Sequence, residues 1–201
     1  EEEIDRIEKE NSVTYSITNM FTSKSKKHIV ESDKYKKNEY NEPNYIYREF
    51  CRFKLEQSYD INESKEDNPE NWANNEEKRP FSPIYGELEL VPGKYFSMQA
   101  DAEWCQYESD FLSHNVSINI SDKRGDSLFV EHRYTQEDLV QSIYTNLLVK
   151  ISDKLSASSS YERNLYDRKT IKSSLGLLYN AQCWSTEVGY THEEDDRRFT
   201  F

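Results

Sequence analysis

The side chains that most often carry out chemistry are few in this chain and lie far apart in its sequence. The four histidines fall in four separate segments, at His28, His114, His132 and His192. No two of them have the H-x-x-x-H or H-E-x-x-H spacing that places two metal ligands on one face of a helix. The sequence therefore predicts no metal site and no cofactor.

A hydrolytic site is not indicated either. Asp110, Ser113 and His114 contain the three groups of a catalytic triad, but neighbours in a strand, such as Ser113 and His114, point to opposite faces. No G-x-S-x-G motif presents a serine nucleophile. We therefore predict that the chain is not an enzyme.

The cysteines form no metal-binding pattern. Cys51, Cys105 and Cys183 are widely spaced, and none belongs to a C-x-x-C motif. Because their number is odd, at least one of the three thiols has no disulfide partner within the chain.

Charged residues are plentiful and mostly acidic. The chain of 201 residues has 38 acidic and 26 basic side chains, for a net charge of -12. Such a chain has no basic field to offset phosphates, so nucleic acid is not an expected partner. Acidic runs at 1–3, 63–77 and 193–196 are predicted to be solvated loops.

The elements that hold these side chains are predicted to be strands. Residues 116–120 alternate strictly between apolar and polar, the run 122–126 turns the chain, and 128–134 returns with the same alternation. The pattern predicts about ten strands joined by short turns, which is typical of an antiparallel up-and-down meander or barrel. Their expected positions are 13–17, 45–61, 84–90, 95–107, 112–121, 127–136, 142–152, 155–165, 171–183 and 186–192, with a further strand begun at 198.

The composition is compatible with a transmembrane β-barrel segment. Apolar residues make up only 35% of the chain, and no stretch approaches the length of a transmembrane helix. A membrane barrel needs apolar residues only at alternate positions and is rich in aromatic residues; this chain has 15 Tyr and 9 Phe. Segment 45–61 exceeds an ordinary soluble strand and suits a tilted strand crossing a membrane. Long polar connections are expected at about 21–43 and 62–80.

The alternation also places most charged strand residues on one face, which in a membrane barrel lines the lumen. The candidate lumen-facing residues are Arg48, Arg52, Lys54, Glu56, Glu87, Glu89, Asp101, Glu103, Glu131, Arg133 and Lys150. Glu49 and Gln57 are exceptions on the apolar side. Most of these charges are expected to pair across neighbouring strands and to keep the lumen solvated.

Turn parity assigns the ends of the strands. A tight turn is predicted at Pro92-Gly93, and barrel turns are short on the periplasmic side. Counting strands then places the turns near 122–126, 153–154 and 184–185 on that same side. The loops near 109, 138, 167 and 194 fall outside.

Several segments resemble the C-terminal part of the LptD family, the lipopolysaccharide-assembly proteins of the Gram-negative outer membrane. They are Arg79 to Ile84, Phe53 to Ile61, Tyr179 to Trp184 and Val188 to Tyr190, with the entry segment 5–13. The resemblance implies that residues 1–201 are the C-terminal portion of a very large barrel. It also implies a bacterial outer-membrane location.

The resemblance implies the partners as well. The family's barrel encloses a plug lipoprotein, LptE. It receives lipopolysaccharide from periplasmic bridge proteins through an N-terminal domain and releases it between its first and last strands. The barrel-assembly machinery would insert such a chain into the membrane.

Two sites follow from the same resemblance. Cys183 matches one of two adjacent family cysteines that form disulfides with the N-terminal domain, although Gln182 stands where the other is expected. Phe199 and Phe201 would belong to a strand at the lateral gate, and the chain is expected to be cut near there.

A second class of protein also fits the alternation, although it rarely needs a strand as long as 45–61. A soluble or surface all-β binding module of acidic charge would pack its apolar faces together as a sandwich. The two interpretations differ in where the apolar faces lie: a sandwich buries them, whereas a barrel exposes them to lipid.

Overall fold

The chain folds as one continuous antiparallel sheet. A computed structural model describes residues 11–26, 45–65, 78–136, 140–194 and 196–201. Eleven strands in these ranges follow one another in space in the same order as in the chain. The predicted all-β, up-and-down architecture is confirmed. The acidic run 1–10 and most of the two long connections lie outside the described residues.

The strands are close to the predicted segments. They are β1 (Ser12–Lys26), β2 (Tyr45–Asp60), β3 (Ile84–Gly93), β4 (Phe96–Cys105), β5 (Asp110–Ser121), β6 (Ser127–Thr135), β7 (Val140–Lys150), β8 (Leu155–Asn164), β9 (Lys169–Asn180), β10 (Ser185–Glu193) and β11 (Asp196–Thr200). One short helix, α1 (Ile61–Lys65), follows β2. In the described ranges, no helix has the length and apolar character needed to cross a membrane.

The period-two alternation explains the register. Val116 faces His132 and Ile118 faces Val130 across β5 and β6, while Ser117 faces Glu131. Because directly opposed residues share a face, apolar residues of both strands collect on one side and polar residues on the other. The same separation recurs in β3 and β4, where Leu88 faces Ala100 while Glu87 faces Asp101.

Two boundaries differ from the prediction. β1 runs for 15 residues to Lys26, where the sequence predicted a strand only at 13–17 and a connection from about 21. Its second half is polar on both faces, and backbone pairing with the long β2, as far as Lys26 opposite Tyr45, keeps it extended. Pro92 and Gly93 end β3 rather than form the turn, which lies at 94–95.

The turn shifts because β3 bulges just before it. The pairing moves from Leu90 opposite Met98 to Gly93 opposite Phe96, so Val91 and Pro92 lie opposite Ser97 alone and β3 gains one extra residue. The strand order remains regular, so the turns at 94–95, 122–126, 151–154 and 181–184 lie at one end of the sheet, termed the turn end. The connections at 106–109, 136–139 and 165–168 begin and end at the other, termed the loop end.

The sheet has no second layer among the described residues. Only one side chain in those ranges, Cys105, is buried, with 7% of its surface exposed. An ordinary soluble domain covers the apolar side of a sheet with another layer. The sandwich interpretation required such burial, and this single sheet does not provide it.

Candidate functional site

The two faces of the sheet differ sharply in chemistry. Direct register partners link Lys54 to Glu87, Glu87 to Asp101, Asp101 to Asn115 and Asn115 to Arg133. The face that these residues share is termed the polar face, and the opposite one the apolar face. The apolar face carries partly to fully exposed Leu, Ile, Val and aromatic side chains.

Ten of the eleven charged residues predicted to share one face do lie on the polar face. They are Arg52, Lys54, Glu56, Glu87, Glu89, Asp101, Glu103, Glu131, Arg133 and Lys150. They extend from β2 to β7. Where two of them are directly opposed on neighbouring strands, as Lys54 and Glu87 are, their side chains are close enough to interact. The sequence therefore grouped these charges on one real surface of the sheet.

Arg48 is the exception, and its predicted placement is a correction. The register between β1 and β2 shifts at Phe21, because Phe21 faces Cys51 while Thr22 faces Glu49. The extra residue, Phe50, bulges, which reverses the faces of the residues before it. Arg48 is therefore on the apolar face.

The same bulge explains why Glu49 looked like an exception in the sequence. Glu49 lies on the polar face, where its carboxylate Oε1 accepts a hydrogen bond from Nε of Arg52 at 2.8 Å. The ring of Phe50 lies 6.3 Å from that of Phe21 on the apolar side. In the sequence, the bulge was indicated only by Glu49, a charged residue at a position where the alternation required an apolar one.

The ion pairs of the polar face lie mainly along strands rather than across them. Lys54 pairs with Glu56 at 2.8 Å, and Arg133 pairs with Glu131 at 2.8 Å. Both pairs join residues i and i+2 of one strand. Each is partly exposed to solvent, so its contribution to stability is small. The sequence predicted ion pairs between neighbouring strands. In β2 and β6 the ion pairs instead join two residues of the same strand.

This arrangement leaves an acidic centre on β3 and β4. Glu87 lies directly opposite Asp101, and Glu89 and Glu103 flank them on the same face. The bases beside it are Arg52 opposite Glu89, Lys54 opposite Glu87, and Arg133 on β6. Each is engaged by a carboxylate of its own strand. Like charges opposite each other destabilise a sheet, so the acidic centre is retained against a local cost. No three His, Cys, Asp or Glu side chains of the described ranges converge as metal ligands.

The segment 78–83 closes the gap between β2 and the start of β3. Its backbone bonds to the end of β2, from Asp60 N–H to Pro80 O at 2.7 Å and from Ser82 N–H to Ser58 O at 2.9 Å. The Phe81 ring packs on Tyr59 with centroids 4.9 Å apart. This pairing extends the sheet where β3 has not yet begun.

The same segment explains Gln57, the second exception in the alternation. Gln57 donates from Nε2 to Ser82 O at 3.0 Å and accepts a hydrogen bond from the Tyr15 hydroxyl. An amide on the apolar face is thereby satisfied at both of its atoms. Arg79, in turn, pairs with Glu108 of the following loop at 2.9 Å.

The turn 122–126 is held by one carboxylate. Asp122 Oδ1 accepts hydrogen bonds from the backbone N–H groups of Arg124, Gly125 and Asp126, at 2.8, 2.9 and 3.0 Å. Desolvation acts to raise the pKa of Asp122, but these three N–H bonds outweigh it and hold the pKa below its ordinary value. Gly125 has a φ of 90°, which suits a residue without Cβ.

The same turn is fastened to its neighbour, next to Lys150. The backbone N–H of Lys150 donates to Asp126 at 2.6 Å, and Arg124 donates to the Lys150 carbonyl oxygen at 2.8 Å. A Cβ on Gly125 would lie 2.7 Å from Nζ of Lys150, so the lysine side chain crosses this glycine. Lys150 thus belongs to the polar face at its turn end.

Two histidines that are distant in sequence come together on the apolar face. The rings of His114 and His132 are stacked 5.3 Å apart, and Tyr134 stacks on His114 at 4.9 Å. Sequence reasoning left them in separate segments, and only the register between β5 and β6 shows the contact. Two imidazoles alone do not make a metal site.

The last two strands form one edge of the described sheet. β11 pairs with only the second half of β10, from Gly189 to Glu193. Phe199 faces Tyr190, with ring centroids 5.0 Å apart, and 65% of its surface is exposed. Phe201 follows β11 and is 92% exposed. Both candidate gate residues therefore lie at a sheet edge.

The three cysteines are not joined to one another. Cys183 is exposed in the turn between β9 and β10, Cys105 is buried at the end of β4, and Cys51 lies partly exposed in β2. Next to Cys183, Trp184 packs on Tyr179 with centroids 5.5 Å apart. The position of Cys183 leaves its thiol open to a partner from outside this sheet.

Sequence reasoning missed the continuation of the polar face beyond β7. Glu162 lies directly opposite Lys172, and Lys172 forms an ion pair with Glu193 at 3.5 Å across β9 and β10. The alternation in 155–165 and 171–183 contained this signal. The charges were overlooked because serines separate them.

Comparisons with known proteins agree with this geometry. The family model for LptD, LPS transport system D, matches residues 2–149. The LPS-assembly protein LptD of Hahella chejuensis (strain KCTC 2396) is 28% identical over 108 residues. The match covers 53% of this chain and 13% of that relative, so the chain spans a small part of the relative's length.

Proposed function

The chain belongs to the LptD family, LPS transport system D, and on that premise we propose that it is part of an outer-membrane translocon for lipopolysaccharide. In this proposal its eleven strands are the C-terminal portion of the barrel wall. Lipopolysaccharide is the transported substrate, and the chain itself performs no catalytic step. The polar head passes along the lumen, and the lipid portion leaves through a lateral gate.

The observation that carries the proposal is the single layer with two opposite faces. Among the described residues one side chain is buried, and large apolar side chains such as Ile17, Leu175 and Phe199 are more than half exposed on one face. In water such a surface would associate or aggregate. Facing lipid, it is the expected exterior of a membrane barrel, and the charged face is the expected lumen.

The acidic centre gives the lumen a specific role in this proposal. Glu87, Asp101 and their acidic neighbours repel the phosphates of a lipopolysaccharide head, while Lys54 and Arg133 are held by other carboxylates. A conduit works when its cargo binds weakly enough to leave again. We therefore assign the ten polar-face charges, from Arg52 to Lys150, to a solvated path rather than to a tight binding site.

The edge at β10 and β11 is the proposed lateral gate. A short strand paired over five residues is easier to open than the pairs β5–β6 and β8–β9, which extend over nine and ten residues. Phe199 and Phe201 would then contact the lipid portion as it leaves. Cys183, exposed in the last turn, is the proposed disulfide partner of an N-terminal domain.

The partners follow from the same assignment. A plug lipoprotein resembling LptE would lie against the polar face, and periplasmic bridge proteins would deliver lipopolysaccharide through an N-terminal domain. The barrel-assembly machinery would insert the strands. The rival interpretation, a soluble binding module, requires a second layer over the apolar face, and the described ranges of the chain contain none.

The test is photo-crosslinking in cells with the protein at its full natural length. A photoreactive amino acid replaces Glu87 on the polar face or, as the control, Ile118 on the apolar face. We expect the Glu87 probe to capture lipopolysaccharide only while new lipopolysaccharide is being delivered, and the capture to stop when its supply is depleted. The Ile118 probe should capture resident lipid under both conditions. Capture at Glu87 that does not depend on supply would contradict a transport path.

A further inference from the structure

The apolar face is not uniform, because β8 runs along the floor of a groove. At two successive apolar-face positions β8 has only Ala157 and Ser159. The neighbouring strands have larger side chains there, including Leu147 of β7 opposite Ser159 and Leu177 of β9 opposite Ala157. The resulting open cavity has a volume of about 430 Å³ and continues toward Tyr190 and Phe199.

The dimensions of the groove select a narrow occupant. Its walls, β7 and β9, are two strand spacings apart, which is about 10 Å between backbones before side chains are added. An α-helix with side chains is about 10–12 Å wide and does not enter between the leucines. An extended peptide fits the width, but β8 is paired on both sides, so the peptide's own backbone groups would find no partners. An acyl chain fits the width and has no polar groups to satisfy.

A cation lies on the same row as the groove. The apolar-face positions of β8 continue from Ser159 to Tyr161 and Arg163, toward the loop end. Nε of Arg163 is buried and has no hydrogen-bond partner, while the guanidinium interacts with the Tyr161 hydroxyl. The Tyr161 hydroxyl lies 3.4 Å from Oγ1 of Thr170, the register partner of Arg163. An Arg guanidinium and a phenol at the end of an apolar groove are suitable donors for a phosphate.

From this geometry we infer that the groove holds one acyl chain of a phosphorylated membrane lipid, with the phosphate bound by Arg163. The chain lies over Ala157 and Ser159 between the rows of Leu147 and Leu177. Because lipid tails are as apolar as leucine, the groove gains little from the hydrophobic effect inside a membrane. Its preference comes from close packing and from the charge-assisted bond to Arg163. The inference rests on the proposed function, since it requires that the apolar face contact lipid.

The test uses the protein at its full natural length in nanodiscs of phosphatidylcholine with a small fraction of phosphatidylglycerol. The phosphatidylglycerol has a diazirine on one acyl chain, and crosslinked residues are identified by mass spectrometry. Leu147 and Leu175 report the groove, and Ile120, which is 46% exposed on the same face, reports general lipid contact. We expect roughly tenfold more crosslinking in the groove than at Ile120, the factor for one hydrogen bond to a charged group.

Three variants separate the parts of the site. Ala157→Leu with Ser159→Leu fills the groove and should reduce its labelling to the level of Ile120. Ala100→Leu, on the same face of β4, is the matched control and should leave the groove labelling unchanged. Arg163→Gln should remove the preference for phosphatidylglycerol over a diazirine diacylglycerol, which has no phosphate.

The outcomes distinguish this inference from the proposed function. Equal labelling of Leu147 and Ile120 would mean ordinary surrounding lipid and would overturn the groove, while leaving a membrane barrel in place. Undiminished groove labelling in the filled variant would overturn it as well. Absence of labelling at both positions would contradict lipid contact by the apolar face, and with it the proposed function.

Discussion

Strands β2 to β6 and strands β8 to β10 belong to one sheet, yet they use different side chains on the same two faces. On the polar face, β2 to β6 carry charges such as Lys54, Glu87 and Arg133. The corresponding positions of β8 to β10 are mostly small: Ser156, Ser158, Ser160, Ser174, Gly176 and Gly189. A Cβ on Gly176 would lie 2.7 Å from Oγ of Ser158, so the side chains here pack very closely.

The difference shows how one backbone pattern supports two tasks. Both regions rely on the same ladder of backbone hydrogen bonds, so they have the same topology. Large charged side chains give β2 to β6 a solvated, well-connected face. Small side chains leave β8 to β10 thin, with a groove on the outside. The thin region lies next to the edge at β11, where the proposed gate requires strands that open.

The largest expected effect tests whether the apolar face contacts lipid in both regions of the sheet. Ile118→Arg in β5 and Leu177→Arg in β9 each place a charge on the apolar face. We expect each to lower the free energy of unfolding by about 2–4 kcal/mol near the bilayer midplane. Ser117→Arg and Ser158→Arg, on the polar face of the same regions, should change it by less than about 1 kcal/mol. Urea unfolding of the protein folded in lipid vesicles gives these values, and equal costs on both faces would remove the distinction.

The next effect sharpens the contrast in strand stability. Amide hydrogen exchange in β8 to β10 should be roughly tenfold faster than in β4 to β6, because small side chains shield the backbone less and oppose local opening less. The Ser160 and Ser174 hydroxyls, 2.6 Å apart, form a side-chain link between β8 and β9. Ser160→Ala should increase exchange at Ser174 further, whereas Ser117→Ala in β5 serves as the control. Uniform exchange across the sheet would mean that the thin region is no weaker.

A smaller effect concerns the acidic centre. Asp101→Asn removes one of two like charges that face each other across β3 and β4. We expect it to stabilise the protein by about 0.5 kcal/mol at low salt, because the repulsion from Glu87 is relieved. The gain should shrink as salt screens the charges. A loss of stability in urea unfolding at low salt would show that Asp101 has an unrecognised favourable partner.

The smallest effect is local and depends on pH. The folded-state pKa of Asp122 is below its unfolded value, so its contribution is fully present above the unfolded pKa. The contribution is lost as the pH falls through the folded pKa, because the protonated carboxyl accepts the three N–H bonds poorly. Exchange of the Arg124, Gly125 and Asp126 amides, corrected for intrinsic rates, should therefore accelerate at acidic pH. In Asp122→Asn this acceleration should be absent, and its persistence would assign it to another group.

Much of the fold could be predicted from the sequence, because the period-two pattern is strong where both faces are well defined. β5 and β6 were located within two residues, and the ten polar-face charges were grouped correctly. The pattern gave wrong strand boundaries where backbone pairing with a neighbouring strand, rather than side-chain chemistry, determines how far a strand extends. The polar half of β1 is held by β2, and the turn after β3 moved because a bulge kept Pro92 and Gly93 in the strand.

The site was less predictable for a similar reason. Arg48 was assigned to the wrong face because a bulge at Phe50 has no sequence signature of its own, apart from Glu49 out of phase. The contact between His114 and His132 requires the register of two strands. The groove over Ala157 and Ser159 requires knowing which side chains border them. Periodicity gives the face of a residue, but not its neighbours across the sheet.

The most direct test of the account is labelling of single cysteines on the two faces of β5 and β6. Cys51, Cys105 and Cys183 are first replaced in the protein at its full natural length, and one cysteine is introduced at position 116, 118, 128 or 130 on the apolar face, or at 117, 131 or 133 on the polar face. In the outer-membrane fraction, the first group should react with a lipid-soluble reagent and the second with a water-soluble one. Protein in the soluble fraction, with the first group protected from both reagents, would contradict the barrel and favour buried apolar faces.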